Sequence, residues 1–239
     1  MKNLYATYPQ YSLMHFNNLR YYSPMTINPV SVYTKTVRYK KDYIEVDLKI
    51  PIFHGPLFSN ALDKVNRSIE SDIMEFRRQM EEAAQEYVEV PLREGREVEP
   101  YVISDVYRVT FNRNNLLSIV IIYNEYIEGK NYFIKVSYNF DIRTGNPLSL
   151  QDLFKRGVDY KKLLDDAIQR KLQEDEDAYF PGAAEQFEGI RVGQPFYLEG
   201  DSIVVFFGFH QIAPTEAGIP VIRLPFQMFR GALKAELVM

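Results

Sequence analysis

The most apolar run of the chain, residues 203–209, constrains the fold more than any other part of the sequence. It reads IVVFFGF, with turn-forming residues before it at 199–201 and a Pro- and Gly-containing stretch after it at 211–220. A run of Ile, Val and Phe with one Gly, bounded by turn signals, is typical of a strand buried on both faces. We expect further strands on either side of it, at 196–198 and around 221–224.

The rest of the chain alternates between strand and helix patterns. Residues 43–51 alternate between apolar and polar side chains, which indicates a half-buried antiparallel strand. Apolar residues recur every three or four positions from 59 to about 87 and from 158 to about 174, which predicts two helices, and Pro91 and Gly95 are expected to end the first. Strands are expected at 32–39, 102–111, 116–126 and 132–142. The order predicts an α+β fold, with two similar halves of antiparallel strands and one long helix packed on the sheet in each half.

The first 30 residues differ from the rest because they are rich in Tyr, Asn and Pro and keep no regular period. Pro9, Pro24 and Pro29 exclude a long helix there. We expect an arm, residues 1–30, that packs its Tyr rings on the body of the protein; self-association or partner binding through this arm is the alternative. The two halves are expected at residues 31–130 and 131–239.

Composition excludes several classes of site. The 239 residues include no Cys, so disulfides, thiolate nucleophiles and Cys-ligated metals are excluded. The net charge is −4 and the basic residues are scattered, which is unlike a nucleic-acid-binding protein. No run approaches the ~18 apolar residues of a transmembrane helix. The first residues also lack the apolar core of a secretory signal, so a cytoplasmic or spore-associated location stays open beside an exported one.

No catalytic or metal-binding set is indicated by residue spacing. The three histidines, His15, His54 and His210, are not spaced as the ligands of a zinc site, and no strand-to-helix turn carries a nucleophilic Ser. We therefore expect no catalytic residues, no metal site and no cofactor. The sequence does not indicate an oligomeric state.

The stretch 211–220 is the part of the chain best suited to recognition. Pro214 and Pro220 stiffen it, and Gly218 is expected to supply a positive φ. A stiff loop loses little conformational entropy when a partner docks on it. The alternatives are a long connection between adjacent strands and, for His210, a general base. The predicted binding residues are Phe209, His210, Gln211, Pro214 and Thr215.

Two separated stretches of the chain resemble the DUF3298 family. They are YNFDIRTGNPLSLQDLF at 138–154 and FYLEGDSIVVFFGFHQIAPTEAGIPVIRLP at 196–225. Upstream, residues 43–53 and the helix that contains Asn66 are similar to the companion DUF4163 domain. The residues that carry the DUF3298 resemblance are Asp141, Thr144, Gly145, Leu148, Leu150, Asp152, Leu153, Phe154, Phe196, Tyr197, Ile212, Ala213, Pro214 and Gly218.

The resemblance implies an extracytoplasmic α+β module that binds proteins and has no catalytic role of its own. Such modules are found in the lysozyme-sensing part of RsiV-like anti-sigma factors and beside the catalytic domain of a cell-wall polysaccharide deacetylase. Pro214 and its neighbours would lie on the binding surface. The expected function is a non-enzymatic binding module of the bacterial cell envelope or spore that recognises a lysozyme-like protein or a cell-wall glycan. Two alternatives stay open: a glycan-acting enzyme that uses His210, and a structural or assembly protein that uses the N-terminal arm.

Overall fold

The computed structural model describes residues 30–95 and 97–238, except for the side chains of Val90 and Leu92. The arm predicted at residues 1–30 lies outside this part of the chain apart from Val30. In chain order the helices and strands of the described residues are β1 (Ser31–Lys41), β2 (Ile44–His54), α1 (Ser59–Arg93), β3 (Tyr101–Arg113), β4 (Leu116–Ile127), β5 (Lys130–Asp141), β6 (Asn146–Pro147), α2 (Tyr160–Glu174), α3 (Ala183–Gln186), β7 (Phe196–Glu199), β8 (Ser202–Phe206), β9 (Val221–Pro225) and α4 (Ala235–Val238).

The strands form two sheets, which confirms the α+β class. One sheet has the order β1-β2-β3-β4-β5-β6, and the other has the order β7-β8-β9. One pair differs from the antiparallel pairing that the sequence predicts, because β2 and β3 are parallel. The reason is the helix between them: α1 is 35 residues long and returns the chain to the end of the sheet where β2 began.

The helices and strands predicted between residues 32 and 224 are confirmed, with differences at their ends. The helix α1 continues past residue 87 to Arg93, although Pro91 lies inside it. A proline removes one backbone donor, and here that loss falls in the last turn of the helix. The strand in the apolar run, β8, ends at Phe206; Phe207 after it is still buried, whereas Gly208 is exposed.

The described residues divide into two compact units. Unit 1 contains Val30–Arg108 and Ile121–Lys135, and unit 2 contains Val109–Val120 and the chain from Val136 onward. Three strands, β3, β4 and β5, therefore contribute residues to both units. The halves predicted at 31–130 and 131–239 are segments of sequence rather than these units, and they stay a prediction.

In unit 1, α1 packs its apolar side on the sheet. Asn66 fixes the helix to the end of β2: its Oδ1 accepts from the Phe53 backbone N–H and its Nδ2 donates to the Phe53 carbonyl, both at 2.8 Å. One amide side chain thus satisfies both main-chain groups of a strand residue. The fully buried apolar residues here include Ile44, Val46, Leu48 and Ile50 on β2 and Val65, Ile69 and Ile73 on α1.

In unit 2, α2 covers the three-stranded sheet. Asp159 caps the helix by accepting from the Lys162 backbone N–H at 3.1 Å. The inward residues of α2 then pack in one apolar cluster with those of the sheet. The members of the cluster at this contact are Leu164, Ala167, Ile168 and Leu172 on the helix and Leu198, Ile203, Val205, Ile222 and Leu224 on the strands.

The outer edge of β7 is buried, and two polar side chains bond it. Asn139 donates through Nδ2 to the Phe196 carbonyl at 2.8 Å, and the Leu198 backbone N–H donates to Ser118 Oγ at 3.1 Å. Ser118 in turn donates to Asn139 Oδ1 at 2.5 Å. This network replaces the neighbouring strand that β7 lacks on this side. The Phe196 carbonyl and the Leu198 N–H are therefore both satisfied.

We expect Asn139→Ala to lower the free energy of unfolding by about 3 kcal/mol, because it leaves the Phe196 carbonyl and the Ser118 hydroxyl buried without Asn139 as partner. Urea unfolding followed by circular dichroism measures the change. Asn124→Ala is the matched control: within the described residues the Asn124 side chain makes only a long contact of 3.5 Å with Ser104 Oγ, so this variant should lose far less stability. Equal losses in the two variants would contradict the role assigned to Asn139.

Candidate binding site in the 207–220 loop

The loop of residues 207–220 joins β8 to β9 and is anchored in unit 2 at its ends and in its middle. The Phe207 backbone N–H donates to the Pro220 carbonyl at 3.0 Å, which closes the base of the loop. Ile212 and Ala213 in the middle are buried. The Ile212 carbonyl also accepts from the Phe180 backbone N–H at 3.0 Å, so the loop is tied to the segment that follows α2.

Two short turns complete the backbone of the loop. In the first, Gln211 Oε1 accepts from the Gly208 N–H at 2.9 Å, and the Gln211 N–H donates to the Gly208 carbonyl at 3.2 Å. In the second, the Pro214 carbonyl accepts from the Ala217 N–H at 3.0 Å. Gly218 ends this turn with φ 77° and ψ −149°, a conformation that essentially only glycine adopts. The positive φ predicted for Gly218 is confirmed.

His210 lies at the tip of the first turn with its side chain exposed. Its φ is 58°, in the left-handed region where His is found more often than most residues. The imidazole packs edge-on against the ring of Phe180, with 4.8 Å between the ring centroids. Its Nδ1 lies 3.5 Å from Thr215 Oγ1, at the limit of a hydrogen bond.

The five predicted binding residues all lie in this loop. Among them the structure brings His210 and Thr215 together, across five positions of sequence. The Gln211 side chain is exposed but already bonds the loop backbone, while Phe209 and Pro214 are half-buried. Their role in binding stays a prediction.

In the part of the chain that the structure describes, no histidine forms a catalytic pair with a carboxylate or belongs to a metal-binding group. No carboxylate there pairs with His210, so the His–acid pair that a glycan-acting enzyme would need is not formed at this loop. His54 ends β2, with its ring 5.6 Å from that of Tyr33, and His15 lies outside the described residues. The described residues contain no group of three His, Asp or Glu that could hold a metal ion. None of the helices they form is long and apolar enough to cross a membrane.

Two buried carboxyl groups in unit 1 were missed by the sequence analysis. Asp105 on β3 is 1% exposed and Glu125 on β4 is 0% exposed. Burial raises the pKa of Glu125 to about 7. Burial likewise raises the pKa of Asp105 to about 7, against the bond from the Lys49 backbone and the nearby Lys49 ammonium, which lower it. A signal was present in the sequence: each residue occupies the inward phase of an alternating strand, two positions after Ile103 and Tyr123, respectively.

Two of the residues that carry the family resemblance shape turns. Asp141 ends β5, and its carbonyl accepts from the Gly145 N–H at 2.8 Å. Asp152 accepts from the Ser149 hydroxyl at 2.6 Å and from the Ser149 N–H at 2.9 Å, which starts a short helical turn. These bonds lower the pKa of Asp152, with the Ser149 hydroxyl making the largest contribution. The two aspartates therefore have a structural role.

We expect Gly218→Ala to lower the free energy of unfolding by about 1–3 kcal/mol, because an L side chain at this φ and ψ strains the backbone. No atom lies within 4 Å of the added Cβ, so the loss would come from the backbone alone. Gly208→Ala in the same loop is the control: its φ is outside the left-handed region, and its Cβ would meet Gln211 Oε1 at an ordinary 3.5 Å. Chemical unfolding of both variants measures the difference, and a loss in Gly208→Ala as large as in Gly218→Ala would refute the explanation.

Two family models match separate segments of the chain. Residues 37–130 match the model described as deacetylase PdaC, and residues 151–227 match the model described as a protein of unknown function, DUF3298. Together the two segments span more than half of the chain. No curated protein matches it.

Two solved structures share the fold. A member of the DUF3298 family from Bacteroides fragilis aligns with a TM-score of 0.66 and 18% identity, covering 90% of this chain and 97% of the other. A DUF3298 family protein from Pseudomonas aeruginosa aligns with a TM-score of 0.58 and 18% identity, covering 88% and 96%. The chain therefore has a PdaC-type domain at residues 37–130 and a DUF3298 domain at residues 151–227, and these domains indicate a family of modules associated with the cell envelope.

Proposed function

We propose that this protein is a non-enzymatic binding module of the bacterial cell envelope or spore, and that the 207–220 loop is its recognition surface. The ligand class is a protein of the lysozyme type or a cell-wall glycan. The observation that carries the proposal is a loop with an anchored backbone that presents an imidazole and a hydroxyl side by side.

The anchoring matters because binding costs conformational entropy. Phe207 and Pro220 close the loop, and Ile212 and Ala213 are buried beneath it. Ordering a mobile side chain on binding costs on the order of 1 kcal/mol, and a backbone that is already fixed avoids the larger cost of ordering a loop. A rigid loop of this kind supports recognition of a ligand of defined shape.

The exposed groups suit both ligand classes. His210 offers an aromatic face and a ring nitrogen, and Thr215 offers a hydroxyl within 3.5 Å of that nitrogen. Sugar hydroxyls and peptide groups both bond to such polar atoms, while the adjoining Phe180 and His210 rings provide apolar contact. The left-handed backbone at His210 adds support, because strained residues cluster at ligand-binding positions.

The test is calorimetric titration of the full chain with lysozyme and, separately, with soluble peptidoglycan fragments. We expect one of them to bind, and His210→Asn to weaken that binding tenfold or more, which is a loss of about 1.4 kcal/mol. Asn removes the imidazole but tolerates the left-handed backbone, so the loop should keep its shape. Thr215→Ala should weaken binding in the same direction.

Arg156→Ala is the control, because Arg156 is exposed in unit 2 and lies outside the loop. It should bind like the unaltered protein. Absence of binding to both ligands would exclude these two classes, and binding that His210→Asn and Thr215→Ala leave unchanged would exclude the loop as the surface.

A further inference from the structure

Glu125 and Asp105 are acidic residues in a place where ionised carboxylates are costly. Neither oxygen of the Glu125 carboxyl has a hydrogen-bond partner within the described part of the chain. Asp105 Oδ1 accepts from the Lys49 backbone N–H at 2.6 Å, while Asp105 Oδ2 has no partner there. A buried carboxylate without a compensating charge or donor is destabilising by several kcal/mol, so such groups stay neutral by holding a proton.

The two carboxyl groups lie on the side of the sheet that α1 covers. Tyr123, two residues before Glu125, packs against Phe76 of α1 with 4.2 Å between the ring centroids. Tyr101, which precedes Asp105 on the same phase of β3, packs against Tyr87 of α1 at 5.3 Å. Side chains two positions apart on a strand share a face, so Glu125 and Asp105 point toward α1. Both are shielded from bulk water while this packing holds.

The neighbouring groups do not compensate a charge on Glu125. Burial alone raises its pKa, with no charged group acting on it. The tyrosine beside it on β3, Tyr101, is itself close to Glu128, to Tyr87 of α1 and to Tyr132 of β5, and these groups are acidic or neutral. Most of the residues that α1 turns to this core are apolar, among them Met80, Ala84 and Val88. The charged exception is the partly buried Arg77, whose Nε lies 3.9 Å from Glu81 and which does not shift the pKa of Glu125.

Around Asp105 the charges come from β2 and partly offset each other. The Lys49 ammonium donates to the Asp105 main-chain carbonyl at 3.3 Å and lowers the carboxyl pKa, whereas Asp47 raises it. The Lys49 ammonium also lies 3.8 Å from the Asp47 carboxylate, so it interacts with both aspartates. Asp105 therefore has a backbone donor and a nearby ammonium that stabilise its charged form. Glu125 has no such donor among the described residues.

We propose that Asp105 and Glu125 form a proton-sensitive switch in unit 1: α1 stays packed on β3 and β4 while both carboxyl groups are neutral, and this packing loosens when they ionise. The direction follows from linkage. Both folded-state pKa values, about 7, lie above the unfolded values of 3.8 and 4.5. The stabilisation is thus complete below the unfolded pKa values and is lost as the pH rises through about 7.

The test is urea unfolding of the full chain between about pH 5 and about pH 8.5, with hydrogen exchange of the α1 backbone amides over the same range. Each carboxyl group should increase the unfolding equilibrium constant about a hundredfold across that range. Glu125→Gln and Asp105→Asn cannot ionise, and Asn keeps the acceptor for the Lys49 N–H. Each variant should remove about a hundredfold of the change. The protection factors of residues 76–93, which correct the exchange rates for their intrinsic increase with pH, should fall with rising pH in the unaltered protein but much less in the double variant.

Asp72→Asn is the matched control, because Asp72 is an exposed carboxylate on α1. It should follow the pH dependence of the unaltered protein. Both neutral variants are expected to be at least as stable as the unaltered protein near pH 5 and more stable above pH 8, so failure to fold is not the expected outcome. A pH profile shared by Glu125→Gln, Asp105→Asn and the unaltered protein would overturn the proposal.

Discussion

The fold depends on satisfying main-chain groups where strands lose their neighbours inside the core. At the buried edge of β7, Ser118 and Asn139 bond the Leu198 N–H and the Phe196 carbonyl. Asn66 serves both groups of Phe53, and Asp105 accepts from the Lys49 N–H, two residues beyond the last paired residue of β2 and β3. An unsatisfied buried group costs about 1–3 kcal/mol, so these polar side chains allow strand ends and edges to be buried in the core.

The candidate recognition loop follows from the same arrangement in unit 2. The bonded edge of β7 holds the three-stranded sheet in place, and β8 and β9 of that sheet carry the loop at residues 207–220. Ile212 and Ala213 are buried, while His210 and Gln211 beside them are exposed. A loop built this way has a fixed backbone and exposed side chains, which is a common basis for recognition on a stable scaffold.

The two buried carboxyl groups differ in what they do for the fold. Asp105 replaces a strand partner for Lys49, and this bond gives it a structural reason to be inside. Glu125 bonds nothing among the described residues, so its burial lowers stability whenever it loses its proton. Together they make unit 1 respond to proton concentration, whereas the proposed recognition loop lies in unit 2.

Periodicity in the sequence determined the secondary structure and the inward faces. The alternation along β2 and the three-to-four spacing along α1 are local properties, so both could be predicted without contacts, as could the family resemblance. Only the tertiary structure paired β2 with β3 in parallel, placed Phe180 against His210, and set Glu125 beneath α1 with no hydrogen-bond partner among the described residues. The physical reason is that the period of the apolar residues determines which side of a helix or strand is buried. Which other helix or strand packs against that side depends on contacts between residues far apart in the chain.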